Sequence, residues 1–466
     1  MFSKEVYQKR RNSLHQKINS GVVVLLGNND SPMNYPGNIY EFRQDSTFLY
    51  FFGLDHPGYA AVMDIDENKD IIFGNDIDID DIIWMGPQPS IKEKAAEVGV
   101  SETRPFSNII DYVQTALKLG RKVHFLPPYR ADNKIFLEEL TGIKPSNQKA
   151  EASIELIKAV VSLRNIKGEE ELAHIEEIMD IAYEMHTTSM KMAHEGIYER
   201  EIAGTIEGIT LKHGGRVSFP VILSKRGETL HNHYHGNLLK TGDLLLTDAG
   251  FESTMHYATD HTRTFPVGGK FSQKQREIYE IVLAANNAVH KAVKPGVKYF
   301  DMHMLAARTI FEGLKSLGLT KGNTDEAVAA GAHTLFLPHG LGHMMGLDVH
   351  DMEDLGEDYV GYDEGQKRSS QFGTAYLRLA REMKPGFVFT NEPGIYFIPA
   401  LIDKWINEKI NTDFINFDKV NQYRAFGGIR LEDDIVITPE GSRNLGKRRI
   451  PITPEEVEDM VKSGIK

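Results

Sequence analysis

Apolar residues recur three and four positions apart along some stretches of the chain and run together in others, and the two patterns alternate through its length. From Ser3 to Ile18, Val6, Leu14 and Ile18 stand in a charged background, which predicts a surface helix, and Val22–Leu26 between Gly21 and Gly27 reads as a buried strand. Thr47–Phe52, Ala60–Asp64 and Val123–Leu126 also read as strands. Ile109, Ile110, Val113 and Leu117 before Gly120 have helical spacing with a glycine stop. Residues 1–150 therefore predict an α/β domain. Periodicity fades from Thr141 to Ala152, where a boundary near residue 150 is expected. Beyond it, Leu172, Ile175, Met179, Ala182 and Met185 mark a helix over Glu169–His194. A second, over Gln273–Val293, uses Ile278, Ile281, Val282, Ala285 and Val289, and a third runs from about Phe300 to Leu317. The polar stretches Glu353–Ser370 and Ile402–Gln422 read as loops or insertions, and no fixed-period repeat is visible.

At roughly 150 residues per domain, 466 residues predict two or three compact units, and 41% hydrophobic with 26% charged residues places them among ordinary globular proteins. A net charge of −13 repels phosphate backbones and anionic membranes, so neither nucleic acid nor a membrane is expected as partner. The absence of cysteine removes disulfides, thiolate metal sites and cysteine nucleophiles together. A charged N-terminus and the shortness of the early apolar run Val22–Leu26 predict a cytoplasmic protein.

Chemistry concentrates in the second half, since 11 of the 18 histidines fall between His231 and His350. Asp248 ends an apolar run and Asp260 opens the next strand signal, so a hairpin would set them side by side. Acids at strand ends commonly serve as caps, and the pair alone does not decide between structure and chemistry. His339, His343 and His350 lie in a glycine-rich stretch, where they could converge or serve as core histidines. Glu392 precedes a Pro-Gly turn, and Glu432 stands in an otherwise apolar strand, where an unpartnered carboxylate is costly. Four such charges in one pocket call for cations. Two divalent metals would balance them, and oxygen donors with one imidazole, His343, suit a hard ion such as Mn²⁺ and metal-assisted hydrolysis.

The ordered set Asp248, Asp260, His343, Glu392 and Glu432 resembles the metal ligands of the pita-bread metallopeptidases, and among them the Xaa-Pro group of prolidase and aminopeptidase P. Phe42–Gly53, Trp84-Met-Gly86, Leu163-Arg-Asn-Ile-Lys167 and Thr229-Leu-His231 carry the resemblance over most of the chain. It implies a creatinase-like α/β domain over 1–150, concerned with substrate access and oligomerisation. A pita-bread α+β catalytic domain over 151–466 and a homodimer or homotetramer are implied with it. Asp260 and Glu432 would bridge two metal ions, Asp248 would chelate one, and His343 with Glu392 would complete the other. Glu392 would be general base, His231 and His350 would bind the substrate carbonyl and the tetrahedral intermediate, and His339, Arg378 and Arg430 are substrate-binding candidates.

Two features depart from the family pattern. Asp248 and Asp260 are 12 positions apart where 11 is usual, implying a longer turn around Ser253–Met255, and His233 competes with His231 for the substrate role. Arg378 stands 14 positions before Glu392, where the prolidase branch has an arginine for the carboxylate of a dipeptide's proline. The expected activity is thus that of an Xaa-Pro dipeptidase on proline-containing dipeptides, with an aminopeptidase P acting on longer peptides as the alternative. A catalytically inactive pita-bread binding protein or a creatinase-like enzyme would lack this ligand set, and methionine aminopeptidase lacks the N-terminal domain.

Overall fold

The five apolar residues Val22–Leu26 form β1, and β2 (Ala60–Asp64) and β3 (Lys69–Phe73) extend from it as an antiparallel ladder. The computed structural model describes residues 1–465. It divides into two compact units, Met1–Arg164 with Met352–Tyr359, and Asn165–Asp351 with the chain from Val360 onward. In the first unit β4 (Glu102–Arg104) and β5 (Val123–His124) lie parallel to β3 and β1, giving the order β4-β3-β2-β1-β5. Val22, Val24, Val62, Ile71 and Phe73 pack against Ile109 and Val113 of the helix Asn108–Lys118 and Leu140 of the helix Ala131–Thr141. Burying each large apolar side chain stabilises this α/β layer by about 1.5–3 kcal/mol.

Thr47–Phe52, expected as a strand, is instead the helix Ser46–Phe52, opened by Asp45, whose carboxylate accepts the Phe48 N–H at 2.8 Å. All seven residues of that helix are buried, so no polar face imposes a helical rhythm and the pattern does not distinguish it from a core strand. The Thr141–Ala152 stretch contains the helix Pro145–Glu151, started by a proline in its first turn. The expected loop over Ile402–Gln422 overlaps two helices, Pro399–Asn407 and Phe417–Val420. A further helix, Ile154–Arg164, belongs to the first unit, so the division falls at residue 164 and not near 150.

The second unit is an α+β domain in which a pair of helices followed by five strands occurs twice, with the strands in a different order between sheet and ribbon. Two helices, Glu169–Met192 and Glu199–Lys212, precede β6 (Arg216–Val217), β7 (Ile222–Ser224), β8 (Leu244–Ala249), β9 (Phe251–Glu252) and β10 (His261–Pro266). Two more, Gln273–Ala292 and Tyr299–Ser316, precede β11 (Val388–Asn391), β12 (Gly394–Tyr396), β13 (Gly428–Arg430), β14 (Asp433–Ile437) and β15 (Ser442–Asn444). Each half forms a three-stranded antiparallel sheet, β10-β8-β7 or β11-β14-β15, and a two-stranded ribbon, β6-β9 or β12-β13. Each helix pair is joined through a glycine in the left-handed region, Gly196 (φ +89°) or Gly296 (φ +84°). Among the described residues no helix is long and apolar enough to cross a membrane.

Candidate metal centre and active site

β8 begins Leu-Leu-Leu and ends Thr-Asp-Ala, so it delivers an acid to the end of a fully buried strand. Antiparallel pairing sets Thr262 of β10 opposite Asp248, and Asp260, two residues ahead of Thr262, comes to the same side. The 12-position spacing is taken up where the sequence places a longer turn. There the Ser253 N–H donates to the Tyr257 carbonyl at 3.0 Å and His256 adopts φ +66°. Glu432 occupies the break between β13 and β14 rather than the interior of one strand. Its N–H donates to the Thr262 carbonyl at 3.0 Å, and its carboxylate accepts the Thr262 hydroxyl at 2.5 Å.

Glu392 follows the last residue of β11, and its N–H donates to the Leu341 carbonyl at 2.9 Å. His343 lies on irregular chain, yet it is held by β11. Its N–H donates to the Thr390 hydroxyl at 3.2 Å, and its carbonyl accepts the Thr390 N–H at 3.0 Å. The His343 Nδ1 lies 3.1 Å from the Met344 carbonyl, so that nitrogen carries the proton and the Nε2 lone pair faces the acids. Nε2 is 3.4 Å from Asp260 Oδ2 and 3.9 Å from Glu392 Oε1. Asp260, His343 and Glu432 each bring one ligand atom within 4.8 Å of the others.

Burial, then the charges of Glu432 and Asp248, push the Asp260 carboxyl well above the usual carboxylate range. Burial with Glu392 and Asp248 does the same to Glu432. Burial raises Glu392 to about 7 against the pull of Arg430. Oδ1 of Asp248 and Oδ1 of Asp260 are buried with no hydrogen-bond partner among the described residues. Orphaned carboxylate oxygens in a pocket of four acids and one imidazole fit a hard divalent cation.

The model of metallopeptidase family M24 matches residues 173–439, which include all five of these side chains. The chain belongs to metallopeptidase family M24. Residues 7–125 match the aminopeptidase P N-terminal domain. The chain is 33% identical to the Xaa-Pro dipeptidase of Homo sapiens over 94% of its own length and 88% of the relative's. It is 32% identical to the Xaa-Pro aminopeptidase of Escherichia coli strain K12 over 98% of each. Among solved structures it resembles zinc-substituted E. coli aminopeptidase P in complex with product, with TM-score 0.81 and 30% identity over 100% of this chain and 99% of that one. It also resembles aminopeptidase P from E. coli with the inhibitor Pro-Leu, with TM-score 0.80 and 30% identity over 99% of each.

Further polar groups of this M24 chain surround these five side chains. Arg430, expected to bind substrate, commits three donors to the protein. They reach the Thr262 hydroxyl at 3.0 Å, the Tyr396 hydroxyl at 2.9 Å and Asp248 Oδ2 at 2.5 Å, which aims Asp248 into the pocket. His339 is likewise engaged, with Nδ1 on the Gly340 carbonyl at 2.7 Å and Nε2 on the Tyr396 hydroxyl at 2.9 Å. A carbonyl only accepts, so Nδ1 carries the proton and Tyr396 donates to Nε2. Burial lowers His339 to about 3, which keeps it neutral.

The His231 side chain is solvent-exposed. Partial desolvation and then Arg430 lower its pKa, with Asp248 and His350 also bearing on it, whereas the His233 Nδ1 lies 3.3 Å from the Val221 carbonyl. The His350 ring meets the His343 ring edge-on at 4.2 Å between centroids. Arg378 bears electrostatically on Glu392.

Sequence reasoning missed Thr262, Tyr396, Arg263 and Asp434. Asp434 accepts the Asp260 N–H at 2.9 Å, and the wholly buried Arg263 donates to the Glu432 carbonyl at 2.7 Å and to Asp433 at 2.6 Å. The available signal was charge inside buried strands, Arg263 in β10 and Asp433-Asp434 directly after Glu432.

Proposed function

We propose that the chain is a divalent-metal exopeptidase that cleaves the Xaa-Pro bond and acts chiefly on Xaa-Pro dipeptides. The observation that carries the reading is the cluster of Asp248, Asp260, Glu432 and His343, all buried, with Glu392 beside them and two carboxylate oxygens unpartnered. Likeness along nearly the whole chain to an Xaa-Pro dipeptidase and an Xaa-Pro aminopeptidase supports the substrate class. Asp260 and Glu432 would hold two ions in common, Asp248 one of them, and His343 with Glu392 the other, with Mn²⁺ as the metal. Bound there, such ions supply Lewis-acid chemistry, lowering the pKa of water and polarising a carbonyl.

The chain's own groups do the rest. Glu392 accepts the proton of the attacking water and passes it to the leaving amine. His231 and His350 hydrogen-bond the scissile carbonyl and the oxygen of the tetrahedral intermediate. Arg430, with Tyr396 and His339 behind it, keeps Asp248 in register, and Arg378 pairs with the free carboxylate of the proline. Support for Arg378 comes from its electrostatic bearing on Glu392 and from the bidentate match of guanidinium to carboxylate.

The first unit serves substrate access and self-association in a homodimer or homotetramer, with the cytoplasm as location. Its helix Ile79–Met85 buries no residue and leaves Trp84 86% exposed, an apolar surface suited to a partner.

Incubating metal-loaded protein with Gly-Pro, Ala-Pro and Xaa-Pro-Xaa peptides tests the reading. Dipeptides should be cleaved faster. Arg378→Ala should raise KM for dipeptides by the equivalent of ~1.5–3 kcal/mol and leave tripeptides nearly unaffected, since they have no carboxylate at that point. Faster cleavage of tripeptides would make the chain an aminopeptidase P in its preference.

A further inference from the structure

The segment from His343 to Asp351 is a closed loop. Its first end is fixed by β11 through Thr390 and by the Met345 N–H, which donates to the Val388 carbonyl at 3.0 Å. Its middle is fixed by the Gly346 carbonyl, which accepts the Ala258 N–H at 2.9 Å. At the far end the Asp351 N–H returns to the Met344 carbonyl at 2.9 Å. There Asp351 Oδ2 meets Lys167 Nζ at 2.9 Å, with each side chain only 1% exposed. A Cβ on Gly346 would come within 2.7 Å of both Asp351 Oδ2 and Lys167 Cε, so the ion pair is packed against the loop backbone itself.

A buried ion pair is a poor source of stability, because apolar side chains of similar volume often do as well. Its strength is directional. This pair clamps the loop one residue beyond His350, through Lys167, whereas His343 is anchored separately by β11.

We propose that Lys167 and Asp351 are positioning residues for His350, fixing the edge-on approach of its ring to His343. Loss of the clamp lets His350 drift while His343 stays with β11, so turnover falls and metal content does not. The proposal rests on the reading of His350 as a substrate hydrogen-bond donor.

A cycle of variants on the metal-loaded full-length protein tests it. Removing one partner takes away the counter-charge of the other buried group, so the pair is replaced together as Lys167→Met with Asp351→Leu. We expect a folded protein by circular dichroism, wild-type metal content by elemental analysis, and kcat lowered at least about tenfold with KM nearly unchanged, as in His350→Ala. Added to His350→Ala, the double replacement should cost less than about threefold more, because both act through one ring.

If the double variant fails to fold, Gly346→Ala replaces it. That change keeps both charges and wedges a methyl group against the pair, and it should give the same non-additive loss. Full turnover in the clamp variant beside a tenfold loss in His350→Ala would overturn the proposal, as would loss of bound metal. Full turnover in His350→Ala would instead overturn the reading of His350 on which the proposal stands.

Discussion

His303 and His333 face each other with ring centroids 6.0 Å apart, and none of their four ring nitrogens has a hydrogen-bond partner among the described residues. Burial lowers His303 to about 4 and His333 to about 3. In the unfolded chain both titrate near 6.5, so below that pH the unfolded state takes up protons that the folded state refuses. Their contribution is therefore complete above about pH 6.5 and is lost as pH falls towards 4, by up to about 1.4 kcal/mol per pH unit for each ring. Urea denaturation at pH 7, 6 and 5 should show a shallower decline in His303→Gln/His333→Gln than in the wild type, and equal slopes would reject the assignment. At this scale the clustering of Asp260, His343 and Glu432 was legible and the groups that support them were not. A carboxylate such as Glu432 among apolar neighbours demands a partner wherever it occurs. Thr262 and Tyr396 are residue types found throughout any fold, and only tertiary contact with Glu432 and Arg430 gives them a role.

Among the elements, the hairpin of β8 and β10 could be read because an apolar run ends at Asp248 and the next strand signal opens at Asp260, and the long helices because they keep one apolar face. The helix Ser46–Phe52 could not, for its seven residues are apolar or buried on every side. What turns that run into a helix is the cap at its start, where Asp45 accepts the Phe48 N–H. Asp45→Ala should lower the stability of the first unit by about 1 kcal/mol, the usual worth of an N-cap, as read from a shift of the thermal unfolding midpoint. The same limit applied to Glu432, where the apolar pattern ran on across a break between two strands.

For the molecule as a whole, acidity outside and acidity within have different consequences. The net charge of −13 gives the molecule a long-range field that repels polyanions. The carboxylates in the second unit oppose folding unless cations neutralise them. Chelation should therefore lower Tm, and restoring a divalent ion at about 100 times its Kd should return about 2.7 kcal/mol of stability, which differential scanning calorimetry would measure. An unchanged Tm after complete metal removal would contradict the electrostatic account.

The twofold order of the second unit carries this further. Asp248 and Asp260 come from its first run of helices and strands, Glu392 and Glu432 from its second, and His343 from the stretch leading into β11. Neither run supplies all five side chains. The cluster is thus a seam, and a cation seated there would be a suture drawn across it. Any substitution that shifts one run against the other, even at the back of the helices Glu169–Met192 or Gln273–Ala292, loosens the stitch. Metal affinity is in this sense a gauge of how well the two runs are docked.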